Sequence, residues 1–503
     1  MEDPKNIAFA GLTILLTLYV VRWYMNPLNA IPTLGGSSLP GLSYFAAFKF
    51  MRNAKNILNE GYCKFYNGTY KVAMADKWLV VVSGPKMIDE LRRRPDEELS
   101  FIASVDDTMQ AEYTIGRGSI MDPYHVDIIR EKLTRTLPAV LPDVVDELSL
   151  AVQEYIPAKD DGKWVTVTVM PTMQHIIARA SNRAFVGLPL CRNEGFLELA
   201  VTFTRAVLKD RDMLSLVPRP LKPLVGSMVS QTKASVNRTV QYLKPMIDEK
   251  KALMALNGGD WEDKPNDMLQ WLFEEAIRKE NPDWSIAERI LLVEFAAIHT
   301  SSTSFTHAIF DLVAKPEYLQ FLREEIEPII SVEGWTKAAM AKMWKLDSFL
   351  RESQRCNGVD LTSMTRKAMK DVTLNDGTFI PKGTLVVAAQ DPTHHDDTNY
   401  PDANVFDGFR FSRMREHEGE GTKHQFVNTS VEYVPFGHGK HACPGRFFAA
   451  NELKAMLAYI VLNYDLKSAG DGGRPANVYI GTAVLPAMDG QVMFRKRDAS
   501  AFA

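Results

Sequence analysis

Cysteine is scarce in this chain, whose 503 residues contain only Cys63, Cys191, Cys356 and Cys443. No two of them stand at the short spacing of a zinc or iron–sulfur site, and no disulfide pattern is visible. An excess of one charge is also missing, since 58 basic and 62 acidic residues leave a net charge of −4. That balance argues against a general nucleic-acid binder. With 46% hydrophobic and 24% charged residues, the sequence predicts a large packed globule.

One cysteine differs from the other three in its surroundings. Cys443 lies in the run Phe436–Phe448, between glycine-bearing turns, with basic residues before it and a Phe-rich helical pattern after it. Gly437, Gly439 and Gly445 allow the backbone to approach a flat ligand, or to turn several N–H groups toward one sulfur. Those dipoles and the positive end of the following helix favour a thiolate. A thiolate presented in this way is a metal ligand, whereas an isolated cysteine beside a turn is usually structural.

The same run carries a family resemblance. Every position of the pattern Phe-x-x-Gly-x-(Arg/His)-x-Cys-x-Gly is matched, by Phe436, Gly439, His441, Cys443 and Gly445. This pattern resembles the haem-binding loop of the cytochrome P-450 family, in which a cysteine thiolate holds the haem iron. The resemblance implies haem (iron protoporphyrin IX) as the cofactor and Cys443 as the metal ligand. It also implies that Phe436, Gly437 and Gly439 bind the cofactor.

Three further motifs appear in the order expected for that family. Ala296–Ser301 resembles its oxygen-activating helix, and Phe406–Phe411 resembles a later segment that contains Arg410. Between them, Glu352 and Arg355 stand three residues apart, which places both side chains on one helix face. The resemblance implies that Arg410 joins this pair. A carboxylate held by two guanidinium groups is a rigid, charge-assisted lock, so the cluster is expected to be structural.

The haem propionates need cations, and the resemblance assigns three. Arg366 and His441 match propionate ligands of the family, and Arg130 matches a helix position that reaches a propionate. The family often has Trp four residues before that arginine, where this chain has Val126. From the residues alone, each of the three could be an ordinary surface cation.

The oxygen-activating segment contains the two predicted catalytic residues. The resemblance assigns Thr300 a hydrogen-bonding role in oxygen activation. His299 replaces the acid that the family commonly has before this threonine. Histidine can carry protons near neutral pH, so a relay is one interpretation and a helix histidine turned away from the haem is the other. The run Ile298–Ser301 resembles fungal members of the ent-kaurene oxidase type.

Helical patterns outnumber strand patterns along the chain. The predicted helices include 127–140, 144–155, 286–312, 346–355 and 446–462, and the short strands include 69–74, 78–82 and 384–387. We therefore predict a mainly α fold with a small β-sheet region, which is also the cytochrome P-450 fold that the resemblance implies. The expected domains are a membrane anchor over residues 1–25, a Pro/Gly hinge over 26–41 and a haem-thiolate monooxygenase domain over 42–503.

The N-terminal segment predicts the location of the protein. Asn6–Val21 contains no charged residue, and Arg22, Trp23 and Tyr24 suit a membrane interface. A cleaved signal peptide is the alternative, although no small-residue cleavage site is clear. The expected arrangement is a single-pass transmembrane helix in the endoplasmic reticulum membrane, with the catalytic domain facing the cytosol.

The expected function is that of a monooxygenase (an oxidoreductase) using dioxygen and electrons from NADPH. No flavin or nicotinamide domain is visible, so a separate flavin-containing reductase is the expected partner. Apolar candidate pocket segments predict a lipophilic small-molecule substrate. A terpenoid in fungal secondary metabolism comes first by resemblance, and a polyketide or an indole second. A haem-thiolate isomerase or dehydratase that needs no dioxygen is the alternative activity.

Overall fold

The computed structural model describes residues 4–258 and 261–497, and its helices dominate these ranges. The α-helices, in chain order, are α1 Pro4–Tyr24, α2 Leu42–Lys64, α3 Pro85–Arg93, α4 Phe101–Met109, α5 Arg117–Met121, α6 Tyr124–Ile128, α7 Thr134–Tyr155, α8 Val169–Phe185, α9 Glu194–Ser215, α10 Lys222–Val229, α11 Thr232–Asn257, α12 Met268–Arg278, α13 Asp283–Ala314, α14 Glu317–Glu333, α15 Lys337–Lys342, α16 Trp344–Cys356, α17 Gln390–His394, α18 Arg410–Glu416 and α19 Arg446–Asn463. A π-helical turn, Ile129–Leu133, joins α6 to α7.

The strands are short and form small sheets. They are β1 Thr33–Leu34, β2 Thr69–Ala73, β3 Trp78–Val82, β4 Leu99–Ser100, β5 Val165–Thr168, β6 Thr362–Ala368, β7 Val372–Thr373, β8 Phe379–Ile380, β9 Leu385–Ala389, β10 Tyr464–Ser468, β11 Val478–Ile480, β12 Ala483–Leu485 and β13 Gln491–Lys496. The largest sheet has the order β1-β2-β3-β9-β6-β4. The prediction of a mainly α fold with small sheets is confirmed.

The core is built around α13, the longest of the described helices. It packs against α8, α9, α11, α16 and α19, and most of its side chains are buried. A helix that is apolar on nearly all sides is stable only inside a protein, where each face meets another apolar surface. Its central position places Ala296–Ser301 in the interior, at the level where the functional site is described below.

The region predicted as two helices, 127–140 and 144–155, is arranged differently. α7 continues through Pro138 and Pro142, and the π-helical turn lies before it. A proline inside a helix removes one hydrogen bond and clashes with the preceding turn. Here the buried stripe that contains Leu137, Leu141 and Leu148 packs against α8 and α19, and this packing keeps the helix continuous.

The predicted N-terminal anchor is not confirmed. The helix α1 begins at Pro4, and residues 1–3 of the predicted anchor lie outside the described residues. Residues 498–503 of the predicted catalytic domain lie outside them as well. Within the described part of the chain, no helix has the combination of length and apolar character needed to cross a bilayer.

Candidate active site

The loop before Cys443 is closed by its own backbone. The Cys443 N–H donates to the Phe436 carbonyl oxygen at 2.7 Å, and the Ala442 N–H donates to the Gly439 carbonyl oxygen. Gly437 and Gly439 have φ angles of 68° and 80°, a left-handed conformation that favours glycine. A Cβ on Gly439 would also collide with the side chain of Arg92 on α3. The two glycines are therefore required by conformation, and Gly439 by space as well.

The environment of the Cys443 sulfur combines opposing effects. The backbone N–H groups of Gly445 and Arg446 donate to the sulfur at the start of α19, and the Arg446 charge also favours the thiolate. Burial acts in the other direction and is the largest effect, so the pKa of the thiol is raised above its ordinary value. The donors expected from the sequence are present, but in the protein alone they do not outweigh burial. A metal cation bound to the sulfur would supply the missing stabilisation of the thiolate.

A strip of the central helix α13 is open although the helix is buried. Ala296 and Thr300 are exposed, while Ile298, Ser301 and Ser302 on the other faces are buried. Residues four apart share one helix face, so Ala296 and Thr300 border one continuous open space. The Thr300 Oγ1 donates to the Ala296 carbonyl oxygen at 2.7 Å, which holds the hydroxyl beside that space. This open strip provides room for a bound molecule beside the middle of α13.

His299, the other predicted catalytic residue, is half-buried next to this strip. Burial is the main effect on its side chain, and it lowers the pKa of His299 to about 4, with a further contribution from the charge of Arg211. The imidazole is therefore neutral at pH 7. The structure does not support the interpretation of a histidine that titrates near neutral pH, although a neutral imidazole can still pass a proton between two partners.

Arg366 is a buried cation without a carboxylate partner. Its side chain is only 3% exposed, and its Nη1 donates to the Thr365 carbonyl oxygen at 2.9 Å, with no ion pair to a described acid. Burial lowers the pKa of Arg366 to about 10, since an unpaired charge is costly in an apolar environment. The strand β6 is irregular between Ser363 and Arg366, where Met364 has a φ of 56°. Such irregularities redirect side chains, and this one precedes Arg366 directly.

His441 lies in the same cluster as Arg366. The Phe101 ring stacks on the His441 imidazole with centroids 5.4 Å apart, and the Arg366 guanidinium lies 5.7 Å from the same ring. The His441 Nε2 is 2.7 Å from the Asp96 Oδ1. An unpaired buried guanidinium and an imidazole beside one aromatic ring fit an anionic group such as a haem propionate. This arrangement of Arg366 is the observation that fits haem to the site.

Arg130 is placed differently from the other two predicted propionate ligands. Its side chain is 49% exposed and its Nη1 lies 3.0 Å from the Asp127 Oδ1. Among the contacts of the described residues, none joins Arg130 to Arg366 or His441. Its charge acts on Lys440 and Arg446 instead, so it lies near the cysteine loop.

The predicted Glu–Arg–Arg cluster forms and is buried. The Glu352 carboxylate accepts from the Arg355 Nε and Nη2, both at 2.8 Å, and from the Arg410 Nε at 3.2 Å. The Asp407 N–H also donates to it, at 3.0 Å. Arg355 Nη1 donates to the carbonyl oxygens of His394 and Ala403. The cluster therefore ties α16 to the segment that leads toward the cysteine loop, as a structural lock.

Sequence reasoning missed Asp96 and Arg92 as neighbours of the site. Neither belongs to a recognisable motif, and each is more than 300 residues from the loop that it contacts. No local signal could have identified them, because only the packing of α3 and α4 beside the loop brings them there.

Comparisons with known proteins agree with this site. The family model described as "Cytochrome P450" matches residues 37–492. Cytochrome P450 monooxygenase 151 of Postia placenta is 51% identical over 98% of this chain and 99% of its own length. The ent-kaurene oxidase of Gibberella intermedia is 30% identical over 93% of this chain and 88% of its own length. The predicted likeness to ent-kaurene oxidase is thus confirmed at a distant level.

A solved structure shares the fold. A cyanobacterial cytochrome, CYP120A1, with retinoic acid bound, has a TM-score of 0.68 and covers 93% of this chain and 99% of its own. Its sequence identity is 19%, so this likeness concerns the fold alone. Members of this family are haem-thiolate proteins, so the predicted haem cofactor is confirmed at the level of the family. The monooxygenases of the family use a redox partner reductase and a lipophilic substrate. The family match across the chain and the high identity to curated monooxygenases establish that this chain is an oxidoreductase that belongs to the cytochrome P450 family.

Proposed function

We propose that this protein hydroxylates a lipophilic terpenoid of fungal secondary metabolism, and that Cys443 would hold the haem iron through its thiolate. The observation that carries the proposal is the open strip of Ala296 and Thr300 on a buried helix. It places the Thr300 hydroxyl oxygen beside a space bordered by apolar residues, where Phe295 and Ala297 are only partly buried. The bound haem supplies dioxygen activation. Thr300 holds a proton at its Oγ1, next to where the substrate binds.

The apolar lining supports a lipophilic substrate. In the segment around β12, Ala483 and Leu485 are partly exposed, whereas Leu361, Met364 and Val484 are buried in the hydrophobic core and do not line an open space. The hydroxyl of Ser363, on β6, donates to the Val434 carbonyl oxygen at 2.6 Å. Desolvation is therefore the main contribution that this lining makes to binding. The distant likeness to an ent-kaurene oxidase supports a terpenoid ahead of a polyketide or an indole.

The test of this function is a reconstituted reaction. Full-length protein in membranes would be supplied with NADPH, a flavin-containing reductase and a panel of terpenoids, polyketides and indoles. We expect a substrate-induced spin shift and an oxygenated product that requires reductase, NADPH and dioxygen together. Product formed without dioxygen would support the isomerase or dehydratase alternative and refute hydroxylation.

The ligand assignment has its own test. Cys443→Ser should abolish the red-shifted Soret band of the reduced carbon-monoxide complex, because oxygen is a weaker donor to iron than thiolate. Cys63→Ser is the matched control, since Cys63 is exposed and remote from the motif. An unchanged spectrum in the Cys443 variant would contradict the assignment.

We further propose that the reductase is an NADPH-dependent flavoprotein that docks on the basic face beside the cysteine loop. Lys440 is 76% exposed and makes an ion pair with Asp96, and the charge of Arg130 acts on it. Lys132, which lies on the same π-helical turn as Arg130, makes an ion pair with Glu274. Lys440→Glu should slow reduction at low salt more than at high salt, because long-range attraction is screened. Lys337→Glu, at the partly exposed start of α15, is the control, and equal effects would refute this docking face.

The proposed location is the endoplasmic reticulum membrane, with residues 1–25 as a single-pass anchor and the domain over residues 42–503 in the cytosol. The uncharged run Asn6–Val21 supports the anchor. Independent support for membrane contact comes from α10, where Leu224 is 63% and Met228 is 78% exposed. Deleting the residues before Ile31 should release part of the protein and leave its haem spectrum intact. Adding Leu224→Asp should release the remainder, and complete retention of both variants on membranes would refute the proposal.

A further inference from the structure

A cavity lies where α7, the end of α8, α11 and the segment before α12 meet. Its volume is about 630 Å³, which is within the range of small-molecule pockets. Val140, Met246 and Leu253 give it apolar walls, and charged side chains line much of the rest. None of its lining residues belongs to the cysteine loop, to α13 or to the propionate cluster, so it is a space separate from the candidate active site.

Two buried charged residues line this cavity. Lys250 on α11 is 5% exposed, and Asp267, which caps the start of α12, is 8% exposed. The Lys250 Nζ donates to the Gln270 Oε1 at 2.9 Å, and the Gln270 N–H donates to the Asp267 Oδ1 at 2.7 Å. One residue therefore contacts both charges and holds them at the same part of the cavity wall.

Neither charge is fully satisfied by the protein. An ammonium has three donors, and Lys250 makes one hydrogen bond and no ion pair among the contacts of the described residues. The Asp267 Oδ2 accepts no hydrogen bond from a described residue, and it faces Gly187 in the turn after α8, where a Cβ would stand 3.2 Å away. Burial lowers the pKa of Lys250 and raises the pKa of Asp267, as expected for charges that lack a close partner. Two N–H donors and one carboxylate oxygen are thus available to a ligand in the cavity.

The exposed part of the cavity wall, which forms its mouth, carries an excess of negative charge. Arg183 is the other lining cation, and its Nη2 lies 3.1 Å from the Asp143 Oδ2 in an ion pair. Three exposed acids line the cavity without forming an ion pair within the described part of the chain, namely Glu249, Glu262 and Asp263. A cationic group at this mouth would therefore be attracted.

A ligand with one kind of charge would not satisfy these groups. An anion would be attracted by Lys250 and repelled by Asp267, and a simple amine would be attracted by Asp267 and repelled by Lys250. An α-amino acid carries an ammonium and a carboxylate on one carbon, so it can pair with both.

We propose that this cavity binds a basic amino acid, with its α-carboxylate on Lys250, its α-ammonium on Asp267 and its cationic side chain at the acidic mouth. Since the cavity shares no residue with the candidate active site, this binding does not depend on the proposed function.

Isothermal titration calorimetry of the full-length, haem-containing protein tests this assignment. The probes are L-arginine and three analogues that each lack one charged group. Agmatine lacks the carboxylate, 5-guanidinopentanoic acid lacks the α-ammonium, and L-norleucine lacks the guanidinium. L-arginine should bind at least about tenfold more tightly than each analogue, as expected when a hydrogen bond between charged groups is lost.

Two substitutions separate the two buried charges. Lys250→Gln should remove the preference for L-arginine over agmatine and keep the preference over 5-guanidinopentanoic acid. Asp267→Asn should do the reverse, and since asparagine also caps helices, α12 keeps its N-cap. Lys244→Gln is the control on the same helix, because Lys244 is 62% exposed, pairs with Asp248 and does not line the cavity. It should leave every affinity unchanged.

A third variant tests the cavity without changing a charge. Ala139 is an exposed residue of α7 that lines the cavity, so Ala139→Trp should fill part of the space. It should abolish measurable binding of L-arginine and leave the carbon-monoxide spectrum of the haem unchanged.

Three results would overturn the assignment. One is that L-arginine binds no more tightly than its analogues, including the case in which none of them binds. Another is that both preferences survive in the Lys250 and Asp267 variants. The third is that Ala139→Trp binds L-arginine as the parent does, and this variant decides alone if a charge variant does not fold.

Discussion

Glu452 on α19 carries a prediction about stability that can be worked out from its surroundings. The residue is 1% exposed, its Oε1 accepts from the Ser181 Oγ at 2.7 Å, and its Oε2 has no partner among the described residues. Burial raises the pKa of Glu452 from 4.5 to about 8. The carboxyl is therefore neutral in the folded protein at pH 7, whereas it is ionised in the unfolded chain.

The sign of the pH dependence follows from this difference. Between about pH 4.5 and pH 8 the unfolded chain binds fewer protons than the folded protein, so the free energy of unfolding falls as the pH rises. One group contributes about 1.4 kcal/mol per pH unit in that window, or about 2.7 kcal/mol between pH 5.5 and 7.5. Glu452→Gln keeps an acceptor for Ser181 and removes the titration. Between pH 5.5 and 7.5, the free energy of unfolding should therefore fall by about 2.7 kcal/mol less in the variant than in the parent.

Urea unfolding followed by circular dichroism at pH 5.5 and 7.5 measures this difference. Glu324→Gln, on the exposed face of α14, is the control and should keep the parent's pH dependence. An identical pH dependence in the parent and in Glu452→Gln would refute the reasoning. So would a Gln variant that is less stable than the parent at pH 7.5 only, since this would mean that the native carboxylate is ionised and stabilised by a partner.

Three further predictions concern the site and its support. Thr300→Ala should retain haem but divert electrons to hydrogen peroxide, because the hydroxyl next to the substrate space is lost. The product formed per NADPH consumed should fall by at least about tenfold. A product yield per NADPH equal to the parent's would contradict this role. Arg366→Gln should speed the transfer of haem to apomyoglobin by about tenfold, because a charged hydrogen-bond donor is lost, while the exposed Arg413→Gln should not. Glu352→Gln should destabilise the fold by about 3–5 kcal/mol in urea unfolding, since it leaves two buried guanidinium groups without a carboxylate; a variant as stable as the parent would show that the lock is dispensable.

Regular apolar patterns made the central helices predictable. The predicted helix 286–312 corresponds to α13 at Asp283–Ala314, and 446–462 corresponds to α19 at Arg446–Asn463. The same reasoning did not predict α2, because its pattern is blurred by exposed apolar side chains such as Phe45 and Phe48. It also predicted two helices where α7 is continuous, because the packing against α8 and α19 that keeps the helix continuous is not visible in a local pattern.

For the site as well, some features were predictable from the local sequence and others were decided by tertiary packing. The resemblance of Phe436–Phe448 and of the Glu352–Arg355 pair to cytochrome P-450 motifs implied a haem-thiolate protein from the sequence alone, because those motifs lie within one loop or one helix turn. The partner of His441 and the unpaired state of Arg366 were decided by tertiary packing. These contacts join residues far apart in the chain. The pKa values of His299 and Cys443 were decided by burial, which depends on every element packed around a side chain and leaves no pattern in the local sequence.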